Sequence, residues 1–393
     1  MGKLEKLIQR LCPDGVVYKK LGEICSIEKG TTPIQKAIPG KYPLVVTADN
    51  RLSCSTYQFD GCAVCIPLIS SSGHGKKDLR TLHYQTGKFA LGNILCAVIP
   101  CDKNYIDARF LYIYLLAKKD FLIVPLMRGG ANVSLSTDSL KNIKVPVPPL
   151  EVQREIVRIL DHFTELTAEL TAELTARKKQ YEYYRDELLG EEIGASTEWK
   201  TIGEISSFRR GSFPQPYGNK EWYDGEGAMP FVQVADIGEN MQLVEDTKRK
   251  ISVVAQPKSV FAPKGSIVIS LQGSIGRIAV TQYDAYIDRT VAIFKDISSA
   301  VLPKYFVYQL QRVFSIKEKT ARGSTIKTIT KEEFTEFQIP VPPIEEQHRI
   351  VSILDRFDAL CNDLTSGLPA EIEARRKQYE YYRDKLLIFS QQT

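Results

Sequence analysis

The chain has 393 residues, 43% of them hydrophobic and 25% charged, and a formal net charge of +5. That length predicts two or three domains, and that composition is ordinary for a soluble globular protein. No run approaches eighteen apolar residues, the charged start MGKLEKLIQRL lacks the apolar core of a signal peptide, and eight cysteines in so long a chain do not read as a disulfide framework, which together predict a cytoplasmic protein.

Charge is unevenly spread. Residues 1–150 carry 20 Lys/Arg against 11 Asp/Glu, and residues 197–343 carry 19 against 16. Residues 151–196 carry 6 against 11, and residues 344–393 carry 7 against 9. Two basic blocks alternate with two acidic ones, which predicts two kinds of partner.

In chain order, the first basic block reads as mixed α/β, with a β-rich run at Ile94–Pro100 and an amphipathic helix at Ala108–Lys118. Pro148-Pro149 then opens a long helix over 151–189, whose apolar or Tyr positions step by three and four through Ile156, Leu160, Phe163, Leu166, Leu170, Leu174, Tyr181, Tyr184 and Leu188. As one helix it would run about 58 Å. The second basic block repeats the mixed pattern, with a β-rich run at Ser266–Gln272 and a helix at Lys304–Val313. The chain ends in a second acidic helix with the same seam, including Leu364, Leu368 and Ile372, and Gly367 with Pro369 predicts a break within it.

The two acidic segments are copies. VPVPPLEVQREIVRILDHF at Val145–Phe163 matches IPVPPIEEQHRIVSILDRF at Ile339–Phe357, and KQYEYYRD occurs at both Lys179–Asp186 and Lys377–Asp384. Weaker anchors extend the match backwards: Leu21–Ile24 with Ile202–Ile205, Gly30 with Gly211, and Arg128-Gly129 with Arg322-Gly323. The plan is variable, constant, variable, constant: one half duplicated. The two constant helices are expected to pair antiparallel and to hold two globular parts apart.

Motifs of self-contained chemistry are missing. The Gly-Lys pairs at Gly40, Gly75 and Gly87 lack the upstream Gly of a phosphate-cradling loop, and there is no GxGxxG, no HExxH and no Asn/Asp-Pro-Pro-aromatic loop for methyl transfer to a base amine. Cys62 and Cys65, with Cys96, Cys101, His74 and His83 nearby, invite a zinc reading, but residues three apart on a strand face opposite sides, so buried cysteines are the better expectation.

Polar-basic clusters beside glycines recur in parallel order in both basic blocks. The first block has Lys29, Thr31 and Thr32, then Ser71, Ser72, His74, Lys76 and Lys77, then Arg128 and Asn132. The second has Arg209, Arg210 and Ser212, then Gln272, Ser274 and Arg277, then Arg322, Ser324 and Thr325. Lys and short hydroxyl side chains suit phosphates, and Arg, Gln and Asn can pair bidentately with base edges, so these are candidate DNA contacts.

The paired VPVPPLEVQ and IPVPPIEEQ, the paired ILDHF and ILDRF, the paired KQYEYYRD and the short tandem TELTAELTAEL at Thr164–Leu174 resemble the specificity subunit of type I restriction–modification systems over nearly the whole chain. The resemblance implies an α+β fold with a pseudo-two-fold internal repeat: target recognition domains at 1–150 and 191–343, and spacer helices at 151–190 and 344–393 forming an antiparallel coiled coil. It implies a non-catalytic subunit that binds a bipartite, asymmetric DNA target and docks two methyltransferase subunits, with restriction subunits joining them. S-adenosylmethionine, ATP and Mg²⁺ would then belong to the partners, with no metal or cofactor on this chain. Tyr183, Arg185, Tyr381 and Arg383 are candidate partner contacts, since Tyr and Arg favour interfaces, although the seam could take some of these tyrosines as core. Other readings are a partner that fuses nuclease and methyltransferase in one polypeptide, a self-contained methyltransferase, and a coiled-coil scaffold that binds DNA without sequence preference.

Overall fold

The run Ala63–Pro67 is buried at every position. A strand manages that only with cover on both faces, because successive side chains alternate. The computed structural model of the protein describes residues 3–72, 75–190, 197–238, 240–272, 275–320, 331–363 and 365–392. In it Val64 and Ile66 pack with Phe110 and Leu111 of the helix Ala108–Leu122. Ala63 and Cys65 face the other way, into Val45, Phe89 and Leu91 of a second sheet. Cys65 and Cys96 are thus core residues whose thiols burial pushes up to about 12, whereas Cys62 and Cys101, expected to be buried, are exposed. Among the described residues no group of His, Cys, Asp or Glu is placed to hold a metal ion, and no helix is long and apolar enough to cross a membrane. His74 lies outside the described residues.

Contacts divide the chain into two units, one of Met1–Glu169 with Ile372–Thr393, the other of Leu170–Glu371. In the first unit, one sheet has the antiparallel order Cys25–Lys29, Leu95–Pro100, Ala63–Pro67, His83–Gln85. The other has the order Leu52–Cys54, Tyr42–Val45, Lys88–Leu91, Phe59–Asp60, with its central pair parallel. A ribbon of Val17–Lys20 with Lys144–Val147 leads into the long helix.

The second unit repeats this arrangement strand for strand. Its first sheet runs Ser207–Arg210, Val291–Lys295, Ile267–Ser270, Ile278–Val280. Its second runs Lys250–Ile251, Met229–Val232, Ala285–Ile287, Val260–Ala262, again with a parallel central pair. Glu198–Thr201 pairs with Gln338–Val341 as the matching ribbon. The duplication therefore reaches through stretches where the two sequences share almost nothing.

One reason is visible at Gly30 and Gly211. A Cβ on Gly30 would stand 2.1 Å from the Gly92 carbonyl oxygen, and one on Gly211 would stand 2.3 Å from that of Asp288. Both positions follow the first strand of their sheet, where the chain passes against backbone too closely for any side chain.

The long helix spans Leu150–Leu188 without interruption. Its counterpart is broken as expected, into Ile344–Asn362 and Leu368–Leu386 around Gly367, while Leu364 lies outside the described residues. Leu166, Leu170 and Leu174 are half-buried, as is Ile372, and Leu368 is buried. In the second unit the helices pair antiparallel. Arg177 and Lys178 lie near enough to Cys361 to act on its thiol, and further along Tyr181 and Tyr184 meet Phe357.

The repeated motifs are the joints of this architecture. Gln153 is fully buried: its amide donates to the carbonyls of Pro148 at 2.7 Å and Tyr105 at 3.0 Å, and its oxygen accepts from the Asp107 amide at 2.8 Å. Gln347 makes the same set, to Pro342 and Ala300 at 2.8 Å each and from Leu302 at 2.8 Å. Each glutamine ties the Pro-Pro turn to the loop that starts the preceding helix. Asp161 of ILDHF accepts from Arg109 at 2.7 Å, and Asp355 of ILDRF accepts from Lys304 at 2.9 Å and from the Tyr308 hydroxyl at 2.6 Å. The long helices are thereby bonded to the first two turns of the helix covering each sheet.

Candidate nucleic-acid interface

Strand direction decides where the polar-basic clusters emerge. In the first unit Cys25–Lys29 and Ala63–Pro67 both run antiparallel to the strand between them, so they are parallel to each other. Lys29, Cys96 and Ile66 stand in one row across the sheet. The turn at Lys29–Thr32 and the loop after Pro67 therefore leave the sheet at the same end. In the second unit Arg210, Ala292 and Ile269 form the corresponding row. Arg210–Ser212 and the loop after Ser270 likewise share one end. Lys29 and Arg210 are thus equivalent cations, each one residue before the glycine that permits the close crossing.

These turns are held, not loose. In the first unit the Gln58 amide donates to the Lys29 carbonyl at 2.8 Å, and its oxygen accepts from both the amide and the hydroxyl of Thr31, at 2.9 and 3.0 Å. Thr32 is bridged to Gly92. In the next loop Ser70 accepts from the amides of Ser72 and Asp78 and donates to the Lys76 carbonyl at 2.5 Å. The Ser71 hydroxyl accepts from the Arg80 amide, and the Ser72 hydroxyl donates to Asp78. Lys76, Lys77, Arg128 and Asn132 are all exposed. The third loop closes on the second: Ile69 bridges Ser134, and the Ser70 amide donates to the Val133 carbonyl at 3.0 Å. The structure thus brings the described residues of the three clusters of the first unit to one end of one sheet. Lys29 also lies near enough to Asp138, just past the third loop, to help Lys141 hold that carboxyl below its usual range.

In the second unit Arg209 and Arg210 are exposed, and the Ser212 hydroxyl donates to the Lys258 carbonyl at 3.0 Å. Arg277 is fixed twice: its amide donates to the Ser270 hydroxyl at 2.9 Å, and its guanidinium to the Ile237 carbonyl at 3.3 Å. Gln272 is half-buried. Ser274, Arg322, Ser324 and Thr325 lie outside the described residues.

The repeated tyrosines divide by exposure. Tyr181 is buried and Tyr379 packs on the first unit's core, whereas Tyr183 is 65% and Tyr381 61% exposed. Arg185 is itself buried, lying over the Tyr181 ring at 5.9 Å and bonded to Asp186 at 2.9 Å. Arg383 lies over Tyr379 at 5.9 Å and pairs with Asp384 at 2.8 Å.

Two features escape the sequence. Gln58 sits 27 residues from the turn it fixes. The segment Phe213–Tyr223 gathers aromatic rings directly after Arg209-Arg210-Gly211, and only the density of rings in FPQPYGNKEWY hints at it.

Comparison with known proteins agrees with this doubled layout. The model of the type I restriction modification DNA specificity domain matches the chain twice, at residues 13–177 and 197–374. The chain is 38% identical over 309 residues to the EcoR124I/EcoR124II specificity subunit of Escherichia coli, covering 74% of this chain and 73% of that one. It is 32% identical over 406 residues to S.HindORF215P of Haemophilus influenzae, named as a type I restriction enzyme specificity subunit, covering 98% of each. Among solved structures, the S subunit of a type I system from M. genitalium superposes with a TM-score of 0.58 over 95% of this chain and 96% of that one, at 16% identity, a likeness of fold. With two copies of its domain laid over two units of one topology, the chain belongs to the type I restriction–modification DNA specificity family.

Proposed function

We propose that each unit reads one half of a split, asymmetric DNA sequence and that the chain performs no chemistry of its own. One observation carries this reading. The two units share a strand order but present different residues at the same sheet end, Lys29-Gly30-Thr31 in one and Arg210-Gly211-Ser212 in the other. Symmetric dimers read palindromes because both half-site readers are the same. A single chain with two unlike readers of one topology reads two unlike halves. The recognition domains in this account are 1–150 and 191–343, joined through spacer segments 151–190 and 344–393.

The partners in this reading are two methyltransferase subunits, joined by restriction subunits, in the cytoplasm. S-adenosylmethionine, ATP and Mg²⁺ belong to those subunits. The support is that Tyr183 and Tyr381 are exposed at equivalent positions in two copies of one motif, as two copies of one partner would require.

Methylome sequencing tests the reading in a host that expresses this chain with its modification partner. The expected result is one asymmetric motif of two specified halves separated by a fixed gap. A palindromic motif, or a single uninterrupted one, contradicts it.

A further inference from the structure

We propose that three cation–aromatic pairs of the second unit, Lys258 on Trp222, Arg249 on Tyr223 and Arg289 on Tyr217, form a second DNA-gripping surface that continues from the sheet end. Arg289 reads a base edge and the other two hold phosphates. The inference rests on the reading of one DNA half-site by this unit.

The segment that carries the rings is an addition. Seventeen residues separate Gly211 from the strand at Met229, against eleven between Gly30 and the equivalent strand at Tyr42. The longer segment starts at the sheet end itself, where the Ser212 hydroxyl lands on the Lys258 carbonyl and Gly211 abuts the Asp288 backbone.

The cations are exposed and lie over rings, at 4.8 Å for Lys258, 4.8 Å for Arg249 and 5.6 Å for Arg289. Among the described residues no ion pair neutralises any of them, although the same segment carries Glu221, Asp224 and Glu226. In the first unit Lys88 lies over Tyr57 at 4.9 Å but also meets Asp60 at 4.0 Å, while Lys41 lies over Tyr42 at 5.1 Å with no ion pair among the described residues. A ring orders a cation without cancelling its charge, which leaves it ready for an anion or a base edge.

The platform under Arg289 is the most firmly built. The Tyr217 hydroxyl donates to Asp288, which is 1% exposed, and accepts from the Gln233 amide at 2.9 Å. Asp288 also accepts from the amide and hydroxyl of Thr290 at 2.9 and 2.7 Å. A buried carboxylate fixes both the tyrosine ring and the turn at Thr290, and the residue next to it carries the guanidinium that rests on that ring. Bidentate pairing with guanine is the commonest specific base contact that an arginine makes.

The test uses the full-length chain, a labelled duplex carrying its mapped methylation motif, and duplexes substituted one position at a time. Arg289→Ala is expected to lose about tenfold in affinity for the intact motif and to stop discriminating at one or two positions of the second half alone. Arg289→Lys, which keeps the charge, is expected to lose the same discrimination while keeping its salt dependence. Arg249→Gln with Lys258→Gln is expected to weaken binding to every duplex alike and to lower the salt slope by about two. Variants that match the parent in affinity, discrimination and salt slope overturn the inference and leave the pairs as staples of the fold. A parent chain that itself shows no preference for its motif fails at the earlier step, the reading of DNA by this unit.

Discussion

Phe163 stacks on Tyr382 with ring centroids 5.4 Å apart and planes 19° from parallel. Phe357 stacks on Tyr184 at 5.8 Å and 29°. Each pair joins the ILDxF motif of one copy to the KQYEYYRD motif of the other. Each unit is completed by the tail of the opposite half, which explains why both motifs stand in both copies.

Between Phe163 and Tyr184 lies the tandem TELTAELTAEL. Removing Thr171–Leu174 takes out one Thr-Ala-Glu-Leu step, shortening the helix by about 6 Å and turning it by about 40° beyond a whole turn. The seam at Leu166 and Leu170 is kept. The deletion variant is expected to methylate the same two half-sites across a shorter gap. Methylome sequencing that returns the original gap removes any spacing role from these residues.

Gln153, itself fully buried, holds three backbone groups from two loops. Gln153→Ala leaves the Pro148 and Tyr105 carbonyls and the Asp107 amide short of a partner, and is expected to cost about 2–4 kcal/mol of stability. Urea denaturation of the full chain measures this. A loss below about 0.5 kcal/mol, the range of ordinary surface changes, means the clamp is dispensable.

Glu155 is 5% exposed and accepts from Arg158 at 2.8 Å and from Lys3 at 3.0 Å, which hold its carboxyl down to about 2 from an ordinary value of 4.5. A depressed carboxyl adds stability that is fully present above its unfolded value and lost as pH falls through the folded one. Glu155→Gln is therefore expected to be less stable than the parent at pH 7, on the order of 1 kcal/mol because both cations are largely exposed. The gap between variant and parent should narrow from about pH 4.5 and close near pH 2. A gap that stays constant through that window assigns the loss to packing instead.

Tyr183 and Tyr381 meet the neighbouring Tyr184 and Tyr382 edge-on, at 5.5 and 5.4 Å, and Lys385 lies 5.9 Å over the Tyr381 ring. The double variant Tyr183→Ala, Tyr381→Ala is expected to fold with its melting temperature almost unchanged, yet to recover much less methyltransferase partner in a pull-down. Full recovery of the partner places docking elsewhere.

The sequence carried the repeat, both spacer helices and the break at Gly367, because each is a local or periodic pattern. Identity of strand order in the variable regions was not readable. It rests on pairings such as Lys29 with Cys96, which hydrogen bonds set while the side chains are free to change. The role of Gln153 was equally hidden, since its partners Tyr105 and Asp107 lie 48 and 46 residues away. Arg185 shows the opposite effect: its neighbours in sequence suggested surface, but the Tyr181 ring and Asp186 take it into the helix joint.

The central claim is that two equivalent sheet ends read two different half-sites. Mapping the methylation motifs of Lys29→Ala and Arg210→Ala, each expressed with the modification partner, tests it most directly. Lys29→Ala is expected to relax or weaken only one half of the motif and Arg210→Ala only the other. Loss spread evenly over both halves in either variant, or no change in either, would contradict it.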